Sequence, residues 1–231
     1  SAVAIMAALR EREASGLGQF IDMSLLDSQV SWLANQNLNS LVSGVVSKRW
    51  GNVVAPGYMV DRFGADTVRL FMLFAAPPEK DIDWSDEQVD GLFRFLSRVW
   101  RIFVARQECF AAPEAALAQA AGEALELRRK THRTVKKVTE GLQGELKFNT
   151  SIAALMELVN ALYAFEPKAE ADRAAVREAL LAVAALLAPF APHAAEELWH
   201  EVLGAPVRDQ LLADAPWPSF DPALVAADVV T

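Results

Sequence analysis

The chain has 231 residues, of which 53% are hydrophobic. That supports one sizeable domain, or a domain with a piece attached, and excludes wholesale disorder. Its formal net charge of -8 excludes indiscriminate polyanion binding by the whole surface, but not a local basic face, because binding depends on where charges cluster. Alanine and leucine dominate and β-branched runs are short, which favours helices over sheets. The single cysteine, Cys109, has no internal partner and reads as a reduced thiol beside Phe110. No charged-then-apolar signal opens the sequence, and the least polar stretch, residues 179–195, is broken by Pro189 and Pro192. It is shorter than the ~20 residues a bilayer span needs. A cytoplasmic protein with no membrane association is expected.

In chain order, residues 2–14 predict a helix with Ile5, Met6 and Leu9 on one face, stopped by Gly16 and Gly18. Residues 19–22 alternate like a short strand. A second helix starts near Ser24, carries an apolar stripe at Leu26, Val30, Leu33, Leu38 and Leu41, and ends at Gly44. Residues 45–57 read as loop, punctuated by Gly51, Asn52, Pro56 and Gly57. Residues 65–74 form a strongly apolar, buried helix ended by Pro77-Pro78. Ser85 is the expected N-cap of a helix reaching about Arg106, with Asp86 and Glu87 favourable in its first turn. One long helix is expected from near Glu114 to Gly141, and another from a cap at Asn149 or Thr150 to about Phe165. Residues 171–187 and 193–203 complete a hairpin around Pro189 and Pro192, and the tail after Pro206 reads as irregular. The fold class is therefore all-α, an antiparallel helix bundle with a short, mostly helical N-terminal segment.

Charge is organised in one place. At 3.6 residues per turn, Leu127, Thr131, Val135, Val138 and Leu142 share one arc. Arg129, Lys130, Arg133, Lys136 and Lys137 share the opposite one, with no acid between them in sequence. Solvated helices of acidic proteins usually mix signs at i,i+4, so an uninterrupted cationic arc suits a polyanion, whose binding would be salt-dependent. The alternative is that these long stems only cover the bundle. Were these arginines and lysines tucked against carboxylates of the same molecule, the nucleic-acid reading of this arc would collapse and leave only a fold description. Arg94, Arg98 and Arg101 recur at i, i+4 and i+7, and are read as pairing with acids elsewhere in the bundle, with extension of the basic face as the alternative.

Other candidates carry less. His193, Glu197 and His200 have a spacing that would suit a metal, yet no cysteine or further ligand joins them, so no metal is expected. His132, among cations, is read as exposed. Trp50, Trp84, Trp100, Trp199 and Trp217 are read as core or hairpin anchors rather than stacking platforms.

Several of these segments together resemble the leucyl-tRNA synthetase family, in the region after its ATP-binding lysine loop. They are Phe63-Gly64-Ala65-Asp66-Thr67-Val68-Arg69, Ala75-Ala76-Pro77-Pro78-Glu79-Lys80-Asp81, Trp84-Ser85, Arg94-Phe95-Leu96 and Arg98-Val99-Trp100. Phe148-Asn149-Thr150-Ser151, Leu187-Ala188-Pro189-Phe190-Ala191-Pro192-His193, Glu196-Glu197-Leu198-Trp199 and Trp217-Pro218 continue the likeness in order. The resemblance covers residues 51–231 and implies the anticodon-binding-type helical domain of a class I synthetase, docking on the body of a leucine-accepting tRNA through the basic helix. The family as a whole uses ATP and magnesium; no cofactor is expected in this chain.

Residues 1–50 are different. Gly16-Leu17-Gly18-Gln19, Ser24-Leu25-Leu26-Asp27, Leu33-Ala34-Asn35-Gln36 and Lys48-Arg49-Trp50-Gly51-Asn52 resemble a family III CoA-transferase, without the catalytic aspartate that the family places upstream. The two resemblances meet at Gly51-Asn52, which implies a natural fusion or a misjoined reading frame. Lys48, in Val46-Ser47-Lys48-Arg49, is a weak candidate for an ATP-loop lysine, since the first lysine and final serine of that loop are absent.

No glycine-rich phosphate loop, nucleophile elbow, His-x-Gly-His signature or alternation of strands and helices is present, so catalysis by this chain is not expected. The leading expectation is a tRNA-binding bundle of a leucine–tRNA ligase. The alternatives are a CoA-transferase fragment with an appended helical domain, and a protein-interaction bundle with no nucleic-acid role. Self-association through exposed apolar surface of residues 1–50 is a further expectation.

Overall fold

Helices fill nearly all of what the computed structural model describes, residues 56–75, 85–144, 146–202 and 211–226. The chain divides into two compact units, Ser1–Tyr58 and Met59–Thr231. The helices and strand expected within residues 2–44, Lys48 and the Pro77-Pro78 stop lie outside the described residues. The all-α bundle is borne out, with no strand among the described residues.

Pro56 and Gly57, read from sequence as loop punctuation, instead open α1 (Pro56–Phe63). Proline suits a first helical turn because the N–H it lacks would have had no partner there. Gly64, at φ 82, then turns the chain into α2 (Ala65–Phe74), a conformation that a side chain disfavours. As expected, α2 is buried, and the burial extends to Asp66 and Arg69. Both charges reach across the molecule, although Arg69 Nε is buried without a hydrogen-bond partner. Asp66 accepts from the backbone N–H of Ala194 at 2.6 Å and from His193 Nδ1 at 2.8 Å. Arg69 Nη2 donates to the Pro189 carbonyl at 3.2 Å. So α2 clamps the corner at Pro189 and Pro192.

Helix α3 (Asp86–Ala105) begins as the sequence predicts, with Ser85 Oγ accepting from the Gln88 N–H at 3.3 Å. It buries Val89, Leu92, Phe95, Val99, Ile102 and Phe103. The single long helix expected from Glu114 is corrected. Two short 3-10 turns, Gln107–Ala111 and Glu114–Gln119, come first, and α4 (Glu123–Gln143) starts only after Gly122, whose φ is 54. The alanine-rich sequence favours helix there, but the chain must reverse between α3 and α4, and Arg128 Nη1 holds the second turn through the Leu117 carbonyl at 3.3 Å.

Helix α5 (Phe148–Ala164) starts earlier than the Asn149 or Thr150 cap expected from sequence; its N-cap is Lys147, without a side-chain bond. The cause is a tight turn in which the Lys147 N–H donates to the Gly141 carbonyl at 3.0 Å. A Cβ at Gly141 would lie 2.5 Å from Ser151 Oγ, so this glycine sets how closely α4 and α5 approach. Helix α6 (Glu170–Leu187) is capped by Asp172, which accepts from the N–H groups of Lys168 and Ala169, each at 2.9 Å. After the corner come α7 (Pro192–Glu197) and one widened π turn (Leu198–Val202).

The tail contains a 3-10 turn (Leu212–Asp214) and the short α8 (Pro222–Val225), and is otherwise irregular as expected. Four hydrogen bonds dock it. Glu196 accepts from the N–H groups of Leu212 and Ala213 at 3.0 and 3.1 Å. Trp217 Nε1 donates to Thr139 Oγ1 at 2.8 Å, and the Asp221 N–H donates to His132 Nδ1 at 2.9 Å. The main core includes Phe71, Phe103 and Phe190, each fully buried; each such side chain contributes about 1.5–3 kcal/mol.

Candidate nucleic-acid interface

The inner face of α4 is as the periodicity predicts. Leu127, Thr131, Val135 and Val138 are buried, and Leu142 packs partly against the core. Thr131 and Thr134 are buried too, their hydroxyls donating to the carbonyls of Leu127 and Lys130 at 2.9 and 2.8 Å.

One edge of α4 is structural. Arg128 makes a two-pronged contact with Glu178 of α6, Nε to Oε2 at 2.8 Å and Nη2 to Oε1 at 3.1 Å. His132 also meets Glu178, at 3.2 Å. Because His132 Nδ1 accepts from the Asp221 backbone, Nε2 carries the proton and donates to the carboxylate. Burial pushes the Glu178 carboxyl up, yet the bonds from His132 and Arg128 outweigh it and hold the group below its ordinary range. His132 is therefore half-buried and tied to α6, where exposure was expected.

The outward arc holds the five cations singled out from sequence, and it holds acids as well. Arg129 contacts Glu126, one turn back. Lys130 Nζ lies 3.7 Å from Glu157 of α5, and Lys136 Nζ lies 3.8 Å from Glu140. Arg133 Nε donates to the Arg129 carbonyl at 3.3 Å, and Lys137 is exposed. The uninterrupted cationic stripe is thus corrected. Glu126 and Glu140 flank the run in sequence but fall on the same arc in space, while Glu157 reaches it from the next helix. Arg129 is the cation held closest. The two lysine contacts are long, and exposed pairs of this kind contribute 0 to about 1 kcal/mol each, so a phosphate can exchange for the carboxylate.

The α3 arginines behave differently from their expected pairing with distant acids. Arg94 Nη1 meets Asp90 on its own helix at 3.3 Å. Arg98 Nη2 donates to Asn160 Oδ1 at 2.8 Å, and its guanidinium lies over the Tyr163 ring, 4.8 Å from the centroid. Arg101 Nε donates to the Ser97 carbonyl at 3.2 Å. Asn160 and Tyr163 were not singled out from sequence, and nothing local signals them, since they lie 62 and 65 residues from Arg98.

The remaining candidates separate. His193 goes to Asp66 and His200 to Glu196 at 3.4 Å, while Glu197 is exposed. No group of three metal-ligating side chains occurs among the described residues. Burial and Glu108 raise the Cys109 thiol, which keeps it neutral and unreactive. Trp199 packs against the core as expected; Trp100 and Trp217 are exposed, the latter bonded to Thr139. No helix among the described residues is long and apolar enough to cross a membrane.

Residues 125–230 match the family model for the anticodon-binding domain of tRNA ligase. The chain is 49% identical over 208 residues to leucine–tRNA ligase of Geobacter sp. (strain M21), covering 89% of this chain. It is 47% identical over 208 residues to the enzyme of Citrifermentans bemidjiense. A solved structure, the Agrobacterium radiobacter K84 agnB2 LeuRS in ternary complex with tRNA and LeuAMS, aligns with 78% of the chain at 32% identity and a TM-score of 0.66. The chain spans about a quarter of the length of the curated relatives it matches. Residues 1–82 match CoA-transferase family III, so both resemblances read from the sequence are found. They also overlap. The ligase match is longer than residues 51–231 and takes in positions before 51, while the transferase model reaches residue 82. The stretch that matches the anticodon-binding model runs from α4 to α8 and includes the outward arc of α4.

Proposed function

We propose that this chain is the tRNA-docking bundle of a leucine–tRNA ligase, binding a leucine-accepting tRNA through its backbone and carrying out no adenylation or acylation by itself. The observation that carries the reading is the identity of nearly half over 208 residues with leucine–tRNA ligases, across the helices that present the cations. On α4 the proposed contacts are Arg129, Lys130, Arg133, Lys136 and Lys137; three of them must first leave a glutamate, so the likeness to the ligases, and not the arc, carries the reading. Exchanging a weak exposed ion pair for a phosphate releases counterions from the RNA, and the released ions supply the driving force.

A filter-binding titration of the full chain against leucine tRNA at several salt concentrations tests this. Binding that weakens steeply with salt, and weakens uniformly in Arg133→Glu/Lys137→Glu, is expected. No binding even at low salt would end the reading. A second reading, a protein-interaction bundle with no nucleic-acid role, draws on the mixed-sign surface around Lys136. It predicts tRNA affinity no greater than that of any other protein of net charge -8.

A further inference from the structure

In a chain of net charge -8, a surface cation is ordinarily matched by a carboxylate, and Arg129, Lys130 and Lys136 on the outward arc of α4 follow that rule. Arg98 breaks it. Its contacts are an amide oxygen and a tyrosine ring, both uncharged, and the Tyr163 hydroxyl donates back to the Arg98 carbonyl at 2.9 Å. Arg101, one turn on, is held by a backbone carbonyl. Among the described residues neither meets an acid. Neutral partners orient a guanidinium without cancelling its charge, and they restrict its rotamers before any ligand arrives. A guanidinium has five N–H donors, and Asn160 accepts from one Nη of Arg98. The rest of the fork is left for an anion.

The surroundings narrow the kind of anion. Phe93 and Trp100, two turns apart on the outward arc of α3, are 42% and 39% exposed, and Tyr163 is 38% exposed. Arginines interleaved with exposed aromatic rings suit a chain of phosphates carrying flat bases, since each base offers a face for stacking. Helix α5 also lies between the two cationic helices. Its Asn160 holds Arg98 of α3, and its Glu157, one turn earlier, meets Lys130 of α4. Packed helices sit about 8–10 Å apart, so the rows on α3 and α4 are separated by about two such steps. One folded RNA reaches both.

We propose that Arg98 and Arg101, oriented by Asn160, Tyr163 and Ser97, form a second RNA-backbone contact on α3, and that this row binds more strongly than the acid-paired row on α4. This rests on the tRNA-docking reading and adds to it a site that the α4 arc does not include.

The test is the same titration of the full chain with leucine tRNA, comparing wild type with Arg98→Glu/Arg101→Glu and with Arg133→Glu/Lys137→Glu. The α3 variant is expected to lose affinity at least about 30-fold and to flatten the log–log salt slope by about 2, one for each lost phosphate contact. The α4 variant is expected to lose several-fold less. Arg101→Gln, whose side chain meets only its own helix, guards against misfolding; thermal melts should match wild type while the slope flattens by about 1. Wild-type binding with unchanged affinity and slope in both α3 variants would overturn the proposal and leave the docking reading standing. No wild-type binding would overturn both. Arginine-dependent capture of an acidic peptide, with tRNA affinity indifferent to Arg98 and Arg101, would overturn the proposal in favour of a protein partner.

Discussion

Helices α3 and α4 each turn a row of cations outward, and the two rows are held in different ways. On α4, Arg129, Lys130 and Lys136 each meet a glutamate, two of these on the same helix and one on α5. On α3, Arg98 and Arg101 meet an amide, an aromatic ring and a carbonyl. Pairing with an acid cancels charge at short range, whereas a neutral acceptor fixes direction and leaves the field intact. The count of basic residues on a helix is therefore a poor guide to its pull on a polyanion. What decides is the charge of the groups that hold them.

The sharpest way to separate structural from outward cations on α4 is Glu178→Ala. It leaves Arg128 and His132 facing α6 without a counter-charge, and a loss of about 3 kcal/mol is expected in urea unfolding. The pH dependence follows from the same carboxyl. Its folded-state value lies below the ordinary 4.5, so its contribution is fully present above that value and disappears as pH falls through the folded one. Glu178→Gln should accordingly flatten the acid limb of the stability profile. A profile identical to wild type would place the acid sensitivity in another carboxylate.

Next in size is Gly141→Ala. The new methyl meets Ser151 Oγ at 2.5 Å, and forcing α4 away from α5 should cost about 2 kcal/mol by thermal unfolding. Since α5 links the two rows, tRNA binding should weaken with it.

Tyr163→Phe keeps the ring under Arg98 and removes only the bond to the Arg98 carbonyl. A stability change of about 0.5–1 kcal/mol and a two- to three-fold weaker tRNA affinity are expected. If the affinity does not move, tyrosine does not orient that arginine for binding. The smallest effect belongs to Glu126→Gln/Glu140→Gln, which removes acids from the α4 arc. Stability should stay within about 0.5 kcal/mol, while tRNA affinity rises a few-fold. No rise would mean that the α4 arc faces away from the RNA.

The sequence by itself determined the all-α class, most of the helices and the buried side of α4. These depend on local matters, the period of apolar residues and the chemistry of caps, so the Ser85 cap, the buried α2 and the inner face of α4 were all legible in it. Helix starts were less so. The Lys147–Gly141 turn moved the beginning of α5, and the reversal before Gly122 cut an alanine-rich helix short, because a tight turn or a chain reversal outweighs a propensity of a few tenths of a kcal/mol per residue. Tertiary structure alone decided the partner of each charge. Arg98 finds Asn160 from 62 residues away, Arg128 finds Glu178 from 50, and Asp66 finds the corner at His193 from 127. A guanidinium needs an acceptor within about 3 Å, and that distance is set by helix packing, not by spacing along one helix.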